Sequence, residues 1–99
     1  MAQIPDTFKL FNQTWTIRTA LPHEIPDDLG QCRVDQHEIV LAPTDCADTA
    51  IHVLLHEMVH CIEMKLHLEM TERQVDLIAL GILDLFRSNP NMLSLLEPQ

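Results

Sequence analysis

His56-Glu57-Met58-Val59-His60 carries three side chains whose types and spacing suit a metal ion and a reactive water. On a helix, residues four apart lie on one face, so both imidazoles can converge on a single ion. Zinc takes imidazole nitrogen at about 2.0–2.1 Å in a tetrahedral shell. Glu57 falls about 100° further round, beside the ion rather than on it, where it can hold a water on the metal and take its proton. Chance alone gives roughly 0.02–0.03 H-E-x-x-H matches in a chain of this composition, so the segment is a specific signal.

A zinc site that keeps one position open needs a third protein ligand. His52, Glu63 and His67 share the helix stripe of His56 and His60. One straight helix cannot close three ligands on one ion, and these three read as a solvated polar stripe. A second, antiparallel helix is better placed. With the connection centred near Leu68, Asp76 comes level with His60, and Glu72 lies one turn earlier on the same face with a longer reach. Either can ligate, and the one that does not can hydrogen-bond a ligating histidine.

Both helices are written in the local sequence. Thr44-Asp45 offers an N-cap and Asp48 sits in the first turn, so the first helix runs from about Cys46 to about Leu66. Ile51, Leu54, Leu55, Met58, Val59 and Ile62 form its apolar stripe. Thr71 with Gln74 fits a capping box that opens the second helix. That helix runs on Val75, Ile78, Ala79, Ile82, Leu83 and Phe86 to about Ser88, where Asn89-Pro90 stops it. Asn91 to Leu96 adds a last helical turn.

Upstream, Phe8 to Thr19 reads as one strand, or two short ones joined near Asn12-Gln13. Ala20 to Gly30 is loop chemistry, with Pro22 and Pro26. Gln31 to Asp35 and Glu38 to Ala42 read as a hairpin turning around Asp35-Gln36-His37. The expected fold is α+β: a small antiparallel sheet of N-terminal strands packed on two long antiparallel helices, one domain over residues 1–99. Glu38 to Ala42 is either an edge open to an extended substrate or an ordinary paired strand.

The 99 residues carry a formal net charge of −9, from 15 acidic against 6 basic side chains. No basic cluster offsets this, so nucleic acid and anionic membrane are excluded as partners. No apolar run approaches the roughly 20 residues of a membrane helix. Met1 to Lys9 has no basic stretch followed by an apolar one, so no secretory leader is expected. Cys32, Cys46 and Cys61 are odd in number and form no C-x-x-C pair, which points away from a disulfide scaffold and toward the cytoplasm. Cys61 reads as a core thiol, and Cys32 and Cys46 as half-buried. Trp15 reads as packing sheet to helices, and His23 and His37 as solvated loop residues.

On these residues the chain resembles small zincin-type, gluzincin-like metallopeptidases of phages and prophages. The resemblance covers "F-x-L-F-x-Q-T-W-T-I", "E-I-V-L", "L-L-H-E-M-V-H" and "T-E-R-Q-V-D-L-I-A-L-G-I" up to "S-N-P". Those relatives commonly place Glu where Asp76 stands, followed three residues on by Ala, here Ala79; the larger repressor-cleaving metallopeptidases of mobile elements have a similar E-x-x-A segment. Leu80 stands where the family has Asn. The resemblance implies a minimal zincin-like domain with His56, His60 and Asp76 on zinc, Glu57 as general base and a protein or peptide substrate. Oxyanion support, from a Tyr or His in many larger zincins, has no evident source, since the chain has no Tyr; His23, His37 and His52 are the alternatives. So small a chain leaves a shallow cleft, with specificity from a protein partner, a homo-oligomer or an exposed substrate segment. The alternative is a regulatory or structural interaction module that binds zinc without turnover.

Overall fold

A computed structural model describes residues 4–98. Residues 1–3, the start of the stretch read above for a leader, and residue 99 lie outside them. The N-terminal part is a four-stranded sheet: β1 (Thr7–Leu10), β2 (Gln13–Thr19), β3 (Gly30–Arg33) and β4 (Glu38–Leu41), in the order β1-β2-β4-β3. Three helices follow: α1 (Ala47–Lys65), α2 (Glu72–Ser88) and the short α3 (Met92–Leu96). This is the expected α+β arrangement, with strands first and two long helices after.

The hairpin of β1 and β2 closes through Phe11 and Asn12, both at positive φ (49° and 66°), with Leu10 opposite Gln13. Two left-handed residues match the twist of the flanking strands. The sheet differs from the expected one in a single pairing: β2 runs parallel to β4, while β1/β2 and β3/β4 are antiparallel. The cause is the loop over residues 20–29, long enough to carry the chain past the position β4 later fills. β3 therefore becomes an outer strand, opposite β1, and β4 is paired on both sides and buried at Ile39, Val40 and Leu41. Of the two readings of Glu38 to Ala42, the paired strand is the one found, and the open edge is not.

That loop is fastened to the sheet by charge. Arg18 on β2 donates to Glu24 at 2.6 and 2.8 Å and to Glu38 on β4 at 3.1 Å, and Arg33 on β3 lies 2.9 Å from Glu24. The Leu21 amide also donates to Glu24. Arg18 and this amide hold the Glu24 carboxyl down at about 2.

Trp15, Ile17, Ile39, Leu41, Leu54 and Cys61 form the sheet–helix core, with Trp15 fully buried as expected. Phe8 stacks on Trp15 at 5.8 Å. His37 is half-buried rather than free in solvent: its ring packs 4.7 Å from Trp15 and its Nε2 accepts from Lys65 Nζ. On its other side α1 packs against α2 through Val59, Val75 and Ala79. Residue pairs Asp48/Arg87, His56/Asp76 and His60/Glu72 show the two helices to be antiparallel.

α1 begins one residue later than Thr44-Asp45 suggests: Cys46 is its N-cap and is exposed, and Thr44 Oγ1 instead accepts from the Cys46 amide. Thr71 and Gln74 form the reciprocal capping box of α2. Only Val75 and Ala79 of the α2 stripe are buried; Ile78 is exposed, together with Leu77, Leu80 and Leu85, because α2 meets the molecule mainly through α1. Among the described residues, no helix is long and apolar enough to cross a membrane.

Glu24 generates a pH prediction. Its carboxyl titrates at about 2 in the fold against an ordinary 4.5, so the stabilisation it contributes is complete above 4.5 and is lost as pH falls through 2. Acid titration followed by hydrogen exchange should release the amides of residues 20–29 in that window, and Glu24→Gln should abolish the pH dependence there.

Candidate functional site

Helix α1 sends side chains in three directions. Leu54 and Cys61 face the sheet and Val59 faces α2. His56 and His60, one turn apart, line a cleft of about 490 Å³ between α1, the start of α2 and the β3 edge. Their rings lie 5.0 Å apart, nearly edge to face.

Glu72, in the first turn of α2, meets both histidines. Its Oε1 lies 2.8 Å from His60 Nε2 and its Oε2 lies 3.1 Å from His56 Nε2. The ligand atoms of His56, His60 and Glu72 all lie within 4.8 Å of one another, close enough to converge on a single ion. The opposite ring nitrogens are held by different carboxylates: Asp76 Oδ1 is 3.2 Å from His56 Nδ1, and Glu63 Oε1 is 2.9 Å from His60 Nδ1. A carboxylate on Nδ1 draws the proton there and leaves the Nε2 lone pair for a metal.

Asp76 therefore does not stand among the converging ligand atoms; it backs His56. The helix pair is centred near residue 66 rather than Leu68, which puts Glu72 opposite His60 and Asp76 opposite His56. Leu66 closes α1 with its amide on Ile62 O, and His67 turns left-handed at φ 55° in the connection.

Glu63 is the residue that the polar-stripe expectation misplaced. It is buried, its Oε1 takes His60 and its Oε2 accepts from the Met70 amide at 2.8 Å, so one side chain seats both a histidine and the entry to α2. Both contacts hold its carboxyl below the ordinary value. Its spacing of three residues from His60 was the available signal. His67 is exposed, as expected. His52 lines the cleft with Nε2 3.2 Å from Asp76 Oδ1, off the hydrogen-bond line, so it lies behind His56 and away from the Nε2 cluster. His37 is taken up by Trp15 and Lys65, and His23 lies outside the cleft lining.

Glu57 lines the same cleft and is buried against β3. Its carboxylate makes no hydrogen bond among the described residues. Burial pushes its pKa above the ordinary value, against the pull of His56 and His60. Gly30 makes room for it: a Cβ there would stand 2.7 Å from Val53 Cγ1 and 3.3 Å from Glu57 Oε2. Gly30 is not at positive φ, so space rather than backbone freedom selects glycine. Nothing in the local sequence signals this contact.

Comparison with protein-family models, curated proteins and solved structures finds no match to this chain.

Gly30→Ala tests the packing over Glu57. Val53 is β-branched and stiff at χ1, so β3 must shift, and the variant should lose about 1–3 kcal/mol. Chemical denaturation checks this; unchanged stability would mean that β3 and α1 are less closely apposed.

Proposed function

We propose that the chain is a zinc-dependent metallopeptidase-like hydrolase in which His56, His60 and Glu72 hold the metal and Glu57 is the general base. The observation that carries this is the orientation of the two imidazoles: both Nε2 atoms meet one carboxylate, and both Nδ1 atoms are backed by others. Two imidazole nitrogens and one carboxylate are the donor set of a zinc site with an open fourth position. Zinc held there supplies a Lewis acid that polarises a peptide carbonyl and lowers the pKa of water.

The chain's own groups do the rest. Glu57, without a hydrogen-bond partner among the described residues and facing the cleft, accepts the proton of the attacking water and passes it to the leaving amine. Asp76 and Glu63 fix the histidine tautomers. β3 takes the part that one reading gave to residues 38–42: it is an outer strand, and Gly30, Gln31 and Cys32 line the cleft, so an extended peptide can pair along it. The substrate class is thus an exposed, extended protein segment.

One observation favours the second reading, a zinc-binding interaction module without turnover. Among the described residues no Arg, Lys or Tyr lines the cleft and His52 lies by Asp76, so no cationic or phenolic donor stands ready for an oxyanion.

Elemental analysis and peptide-library cleavage separate these outcomes. Wild type should carry zinc; Glu72→Ala should lose it, and Asp76→Asn should weaken binding about 10–100-fold. Zinc retained equally in all three would overturn the site. Glu57→Gln should keep zinc and lose hydrolysis about 10²–10⁴-fold. A zinc-loaded wild type that cleaves no peptide would leave the interaction module as the function.

A further inference from the structure

Cys32 on β3 and Cys61 on α1 meet across the sheet–helix interface with their Sγ atoms 2.6 Å apart. Cys61 is fully buried, while Cys32 is half-buried and lines the cleft, so a small solute reaches the pair only through Cys32. The third cysteine, Cys46, is exposed at the start of α1 and belongs to neither wall of this interface. Two thiolates sharing a zinc at ~2.3 Å in tetrahedral geometry stand about 3.8 Å apart, so this pair is too close for a common ion and nearer to the ~2.05 Å of a covalent bond.

We propose that Cys32 and Cys61 are a reversible oxidation site, closed to a disulfide by a peroxide. Hydrogen peroxide transfers one oxygen to the Cys32 thiol, giving a sulfenic acid and releasing water as the O–O bond breaks. The Cys61 sulfur then attacks the Cys32 sulfur, the S–S bond forms, and the hydroxyl leaves with the Cys61 proton as a second water. Two thiols are oxidised and one peroxide is reduced. A dithiol reductant reverses the bond by exchange.

The product is a covalent tie between the strand that edges the cleft and the helix that carries the histidines, one residue beyond His60. β3 is a four-residue outer strand, paired only with β4 in the sheet, so bond formation displaces no second neighbouring strand. The tie would hold Gly30 over Glu57 and lock the outer wall of the cleft.

The test uses the full chain and reads neither metal nor activity, so it stands apart from the zinc reading. The protein is treated with hydrogen peroxide, denatured, alkylated and digested. Mass spectrometry should find a peptide joining Cys32 to Cys61, with Cys46 the alkylated thiol. The melting temperature should rise by about 10 °C or more and return on dithiothreitol treatment. Cys46→Ser should behave the same. Cys32 driven to the sulfinic acid while Cys61 stays alkylatable, or cross-links running through Cys46, would overturn the proposal.

Discussion

Three carboxylates, Glu63, Glu72 and Asp76, crowd onto the two imidazoles of His56 and His60 where α1 meets α2, all within 3.2 Å of a ring nitrogen. Carboxylates gathered on one pair of rings repel one another, and positive charge between them offsets that repulsion. Protonated histidines or a divalent cation can supply it, and the two differ in what they demand of the rings. A cation needs the Nε2 lone pairs, which is the arrangement that carboxylates on Nδ1 favour. The rest of the molecule serves this contact: the capping box of α2 fixes where Glu72 begins, and Glu63 ties the connection to the helix that precedes it.

The local parts of this design were legible in the sequence. The H-E-x-x-H pair, the first helix, the capping box at Thr71 and Gln74, and the stop after Ser88 all depend on residues a few positions apart. The non-local parts were not. Which acid faces the Nε2 cluster depends on where the helix connection is centred, and a shift of two residues exchanges Glu72 for Asp76. Spacing could not register the left-handed turn at His67 within the connection. The parallel pairing of β2 and β4 was hidden for a related reason: two prolines announce a loop but do not say how many strand positions it steps over.

Glu57 shows a different limit. Its place beside the histidine pair follows from helical rotation, but its burial comes from β3, through a glycine that reads in sequence only as loop punctuation. The same strand approach brings Cys32 to Cys61. The outer wall of the cleft is thus built by one four-residue strand lying close on α1, held from behind by Arg33 and the Arg18–Glu24–Glu38 network.

An unpaired strand edge is a hazard as well as an opportunity, because its free amides and carbonyls will accept any extended chain, including one from another copy of the same protein. Here the exposed ladder is only four residues long and ends on Arg33, which is paired with Glu24 and Glu38. So short a template gives a foreign strand few main-chain bonds. Lasting association there must draw on contacts beyond the ladder, which separates a captured segment from the first step of aggregation.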